Sequence, residues 1–131
     1  MDQIRIDSSD VQKLAATIEH SGKVAITHVA PVVAKGALNI KKDAQKRVGR
    51  GPFTPRYAAS IGYDQRTTPT TSEAEIGPDK DKAQGALGNL LEYEYGTPWS
   101  APTPHLGPAL AAEEPKFTKA LEDVVLKALG L

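Results

Sequence analysis

Apolar residues recur at intervals of three and four through the first half of the chain, at Ile26, Ala30, Val33, Ala37, Ile40, Ala44 and Val48. This spacing predicts one long helix over residues 23–48, with a narrow seam facing another element. Several seam residues are small, which permits close approach. Pro31 lacks a backbone N–H, so it either kinks this helix or marks its true first turn. Gly36 is a second weak point, costing about 1 kcal/mol relative to Ala. Upstream, Val11, Leu14, Ala15 and Ile18 also fall at helical spacing. With Ser8 or Ser9 as cap and Asp10 in the first turn, they predict a first helix over residues 8–20 that ends at Ser21-Gly22.

The period then changes. Residues 49–56 hold two glycines and two prolines and read as a loop, followed by a short helical turn over 57–60. Ile61, Tyr63, Gln65 and Thr67 alternate with Gly62, Asp64, Arg66 and Thr68, which predicts a strand exposed on one face. Pro69-Thr70-Thr71-Ser72 reads as a turn, and Glu73-Ala74-Glu75-Ile76 alternates again, so the two segments predict a β-hairpin. Asp79 can cap a helix over residues 80–93, with Ala83, Leu87, Leu90 and Leu91 on its buried side. Residues 93–104 form a proline-rich loop that holds the only tryptophan, Trp99. From Pro108 to Leu129, the stripe Phe117, Leu121, Val124, Val125 and Ala128 predicts a last helix, which Pro115 either splits or restarts. The fold class expected is α+β, in one domain over residues 1–131: a small antiparallel β-sheet or hairpin packed by a long kinked helix and a C-terminal helix.

Composition narrows the chemistry. The chain has 131 residues, enough to bury roughly two-thirds of its unfolded surface. Aromatics make up only 5%, so the core is expected to be mostly aliphatic. With no cysteine, disulfides, thiolate metal sites and Cys nucleophiles are excluded. The N-terminus lacks the basic-then-apolar order of a signal peptide, and the most apolar stretch, 24–40, is too interrupted to span a membrane. A protein made in a cytoplasm and kept or assembled there is expected.

No catalytic pattern is complete. His20, His28 and His105 lack metal-helix spacing and read as surface or interface residues. Gly85 is followed by Ala86-Leu87, not by the ending of a phosphate loop. Glu92 with Glu94, and Glu113 with Glu114, lie too close in sequence to face each other on a helix. No Gly-x-Ser-x-Gly elbow occurs. The expectation is a non-enzyme without metal or cofactor.

The net charge of zero at first argues against a charged partner, but it conceals a segregation. Residues 21–56 carry eight basic side chains and one acidic, whereas 57–131 carry six basic and eleven acidic. Lys35, Lys41, Lys42, Lys46, Arg47, Arg50 and Arg56 form the basic run. Lys35, Lys42 and Lys46 share a helix face, with Lys41 close by. The run is either a solvated face or a surface toward phosphates or an acidic neighbour. Only Phe53 and Tyr57 lie near for base stacking, so backbone contact fits better than sequence reading. In the 93–104 loop, Tyr95 and Trp99 suit a protein interface, or Trp99 folds back on the core. The 68–72 turn and the 49–56 and 94–104 loops are expected to face partners.

One ordered set of segments carries a resemblance. It runs Val33-Ala34-Lys35-Gly36-Ala37-Leu38-Asn39-Ile40-Lys41-Lys42-Asp43-Ala44, Tyr57-Ala58-Ala59-Ser60-Ile61, Ala74-Glu75-Ile76-Gly77-Pro78, Leu87-Gly88-Asn89-Leu90-Leu91-Glu92, Glu94-Tyr95-Gly96-Thr97 and Pro104-His105-Leu106-Gly107-Pro108-Ala109-Leu110. Over about residues 20–125 the chain resembles the tail-component family of long-tailed bacteriophages, encoded between the head genes and the major tail protein gene. It departs in a doubled Glu92-Tyr93-Glu94-Tyr95 and in His105-Leu106, where the family often has Phe. The resemblance implies a virion protein of the neck, assembled in the host bacterial cytoplasm. It implies a homo-oligomeric ring, commonly six-fold, that completes the tail and joins it to the head. The partners would be neck and tail-tube proteins, with DNA passing transiently through the channel. The partner-facing loop would be Glu94, Tyr95, Gly96, Thr97 and Trp99. Two alternatives stand beside it: a small DNA-binding module using residues 35–56, and a head-closure ring of stopper or adaptor type.

Overall fold

The structure, a computed structural model, describes residues 2–7, 12–18, 22–48, 54–79, 104–128 and 130. Its elements are β1 (Asp2–Asp7), β2 (Gln12–Ile18), α1 (Gly22–Arg47), α2 (Thr54–Ser60), β3 (Ile61–Thr67), β4 (Thr71–Pro78) and α3 (Leu106–Ala128). The fold is α+β. The four strands form one antiparallel sheet in the order β1-β2-β4-β3. α1 lies across β4, β2 and β3, and α3 packs chiefly on α1.

The N-terminal segment corrects the sequence expectation. In place of a helix over 8–20, β1 and β2 pair with Ile4 opposite Ala16 and Ile6 opposite Leu14. β2 then pairs with β4, with Leu14 opposite Ala74. The positions Leu14, Ala16 and Ile18 satisfy a period of two as well as Val11, Leu14 and Ile18 satisfy a helical one. Pairing with β4, distant in sequence, decides between them, because local propensity is weak against tertiary contacts.

The long helix forms as expected. It begins well before Pro31, so this proline is not its first turn, and it continues unbroken through it to Arg47. α3 likewise runs unbroken through Pro115. Both prolines and the residues four before them, Thr27 and Ala111, are exposed. Each proline ring therefore meets solvent and not the core, which lowers the cost of a proline inside a helix. The buried face of α1 is Ile26, Val29, Val33, Ala37, Ile40 and Ala44, with Val48 just beyond its end. Val29 takes the place expected of Ala30, which is half-buried.

The hairpin expected over 61–76 forms as β3 and β4. Ser72, Ala74 and Ile76 are buried toward α1. Gln65 donates from Nε2 to the Ala30 carbonyl at 2.9 Å and to Ser72 Oγ at 3.1 Å, tying the edge strand to the helix. On the other sheet face, Arg66 lies 3.6 Å from Glu73, directly opposite it in the register. The turn is held by Thr68, whose backbone N–H reaches the Thr71 carbonyl at 2.7 Å and whose Oγ1 accepts from the Thr71 N–H at 3.0 Å. The turn residues 68–70 are exposed, but Ser72 is fully buried. α2 begins at Thr54, so Pro55 and Arg56 belong to a helix and not to the expected loop. A proline in a first turn forfeits no helical bond, since the N–H there has no partner within the helix.

Candidate assembly surface

α1 carries five of the seven basic residues singled out above, and the helix sorts them. Lys35, Lys42 and Lys46 are exposed and lie in one row with His28, each within about 40° of the next at the helical 100° per residue. None of the three lysines makes an ion pair among the described residues. Lys41 is half-buried and points about 100° away from Lys42, so it is not part of this row. It lies on the flank where Gln45 donates to the Ala58 carbonyl of α2 at 3.0 Å. Arg47 is drawn aside by Asp43, whose carboxylate lies 3.0 Å from its Nε. Arg56 is exposed on α2. Arg50 and the loop residues Glu94, Tyr95, Gly96, Thr97 and Trp99 lie outside the described residues, as does the helix expected over 80–93.

Two features of this surface come from α3. Lys116 joins Lys42 and Lys46 around a shallow depression of about 340 Å³ between the two helices. Within it sits Glu113, only 7% exposed, whose two carboxylate oxygens accept from Asn39 Nδ2 at 3.2 Å each. This bond joins α1 and α3 across 74 residues of sequence. A carboxylate removed from water needs such donors, because an unsatisfied buried charge is costly. The surface is therefore a lysine row on α1, extended by Lys116, with one neutral-to-acid bond fixing the helix crossing.

A second polar junction is fully enclosed. Tyr57 of α2 and His105, just before α3, are both 0% exposed. The Tyr57 hydroxyl and His105 Nε2 are hydrogen-bonded at 2.6 Å, and the rings meet edge to face with centroids 5.2 Å apart. The reading of His105 as a surface or interface residue is therefore corrected. Leu106, Ala109 and Leu110 follow it into the core. Residues 57–61 and 104–110, separate in sequence, thus meet at one buried joint that holds the start of α3 against α2. His28 is exposed, and His20 lies outside the described residues.

Among the described residues, no group of three His, Asp or Glu side chains is placed to hold a metal ion, and no helix is long and apolar enough to cross a membrane. The chain matches no protein-family model, no curated protein and no solved structure.

The lysine row permits a direct separation of folding from association. Changing Lys35, Lys42 and Lys46 together to Glu is expected to shift the melting temperature little, since exposed substitutions usually stay within about 0.5 kcal/mol each. The same change should weaken self-association, read by sedimentation at matched concentrations. An equal loss of monomer stability would show that the row serves the fold instead.

Proposed function

We propose that this chain is a structural subunit of a bacteriophage neck, forming a homo-oligomeric ring that completes the tail and joins it to the head. The observation that carries this reading is the order of segments along the chain, from 33–44 through 57–61 and 94–97 to 104–110. Two features of the fold support it. The segments 57–61 and 104–110 converge on the Tyr57–His105 joint, so their residue types answer to one structural requirement. The exposed lysine row supplies a charged face, which a ring subunit needs because its head-to-tail contacts join unlike surfaces. Lysines on such a face can touch DNA phosphates without reading bases, which suits a channel that DNA must leave.

The test is a stop codon in the gene of a phage that encodes this chain. DNA-filled heads and free tails should accumulate unjoined in electron micrographs, and protein supplied in trans should restore virions. Normal virions lacking the protein would remove the reading. Gene position then separates the rings: directly before the major tail protein gene for tail completion or termination, directly after the portal and capsid genes for an adaptor or stopper.

The exposed row Lys35, Lys42 and Lys46 also favours a second reading, a small DNA-binding module. Three phosphate contacts would give a slope of log affinity against log salt of about −3. Duplex binding by the free monomer with that slope supports this reading, and no binding at low salt rejects it.

A further inference from the structure

The sheet ends in two unlike strands, β1 on one side and β3 on the other. Two bonds that bracket the β3–β4 ladder fix which main-chain groups β3 turns outward. At one end the Asp79 N–H donates to the Ser60 carbonyl at 2.8 Å, and at the other the Thr68 N–H donates to the Thr71 carbonyl at 2.7 Å. Antiparallel pairs alternate between bonded and non-bonded, so Gly62, Asp64 and Arg66 bond to β4. Tyr63, Gln65 and Thr67 therefore direct their N–H and C=O groups away from the sheet, and these groups have no hydrogen-bond partner among the described residues. The same alternation, carried through β4 and β2, leaves Asp2, Ile4 and Ile6 as the outward positions of β1. Neither edge ladder is broken by a bulge, and neither edge strand contains a proline. Bulges and prolines are among the devices that blunt an edge against pairing with another chain.

We infer that β3 of one copy pairs antiparallel with β1 of the next copy, with Tyr63 opposite Ile6, Asp64 opposite Arg5 and Gln65 opposite Ile4. The inference rests on the ring reading and specifies its contact. β1 and β3 run in opposite directions, because three antiparallel pairings separate them. A copy rotated about an axis along the strands therefore presents its β1 to β3 in the antiparallel sense. Because the strands number four, an even count, the outward positions of both edges lie on the face that bears α1. Joining copies keeps every α1 on one side. Charge and burial then choose the register. Asp64 is exposed, makes no ion pair among the described residues and has Glu75 directly opposite it on β4. A like charge in that position is destabilising, so the open side of Asp64 favours a cation. With Arg5 there, the half-buried Tyr63 receives Ile6 opposite it. Sliding the strands by two residues sets Asp7 against Asp64 and Arg5 against Arg66, or leaves Asp64 with Gln3. Two β3 strands paired with each other would set Tyr63 against Thr67 when Asp64 meets Arg66, and would leave β1 open in both copies. Pairing β3 with β1 is heterologous, so each added copy offers a fresh edge until rotation closes the ring.

The test follows the full chain from low to high concentration, with mass read by sedimentation and main-chain amides by hydrogen exchange. The unaltered protein should form species larger than a dimer. On association the amides of Ile4, Ile6, Tyr63, Gln65 and Thr67 should exchange about tenfold more slowly or better, whereas those of Gly62, Asp64 and Arg66 are protected at every concentration. Asp64→Arg and Arg5→Asp should each weaken association about fivefold. Mixed in equal amounts the two variants should recover it, because each then meets the opposite charge at both of its edges. Protection gained at Tyr63 and Gln65 but not at Ile4 and Ile6 would show β3 pairing with β3 and overturn the contact. A mixture that does not recover overturns it, as does an unaltered protein that stays monomeric throughout. Oligomers with no gain of protection at either strand overturn the edge pairing and leave the neck reading standing. Normal virions without the protein would remove the neck reading and leave a measured β3–β1 pairing intact.

Discussion

Truncating Tyr57 to Ala should lower the stability of the fold by about 3–5 kcal/mol, the usual cost of deleting a large buried aromatic side chain. For a chain of this size, that corresponds to a fall in melting temperature of roughly 10–20 °C. Tyr57 is fully buried and is among the largest side chains of the core. It also carries the bond to His105, so the loss has two parts that can be separated. Tyr57→Phe keeps the ring and removes only the hydroxyl. It should cost about 1–3 kcal/mol, since His105 loses that partner while remaining buried. A Tyr57→Phe variant that melts with the unaltered protein would show that the joint is held by packing alone.

Replacing Asn39 with Leu should cost about 1.5–3 kcal/mol, the range for a hydrogen bond to a charged group whose partner stays buried. Both Glu113 oxygens take their bonds from Asn39 Nδ2, and Glu113 has little exposure with which to recover them from water. The midpoint of urea unfolding should fall with its slope unchanged, since the same surface is exposed on unfolding. The paired change Asn39→Leu with Glu113→Leu should restore most of the stability, because apolar side chains of similar size often replace buried polar groups without loss. If Asn39→Leu alone leaves the midpoint in place, the bond does not hold the helix crossing.

The elements readable in the sequence were those whose pattern is long or bounded by turn residues. α1 repeats its seam over many turns, and the β3–β4 hairpin alternates on both sides of Pro69-Thr70. β1 and β2 were not readable, because Leu14 and Ile18 fit a helix and a strand equally. The choice is made by Ala74 and Ile76, which lie across the sheet from Leu14 and Gln12. The candidate surface divides in the same way. Lys35, Lys42 and Lys46 follow from helical spacing alone. Lys41 and Arg47 depart from them because α2 and Asp43 take up their flanks. Lys116 and the Asn39–Glu113 bond depend on how α1 crosses α3, and Tyr57–His105 on where α2 delivers a ring. No local pattern encodes either of these.

The strand order β1-β2-β4-β3 also sets a sequence of events in time. β2 is made before α1, yet its inner neighbour is β4, and Gln12 must wait for Ile76 before their pairing can form. The β3–β4 hairpin, by contrast, closes over a few residues. During synthesis the first two strands therefore emerge with one edge unpaired while α1 is being added. Long-range pairing of this kind is the slow part of folding, because the closure entropy is lost before the contacts form. Refolding should thus show the β3–β4 hairpin with α1 as the early structure and docking of β2 as the late step. Substitutions at Leu14 should then change the unfolding rate more than the folding rate.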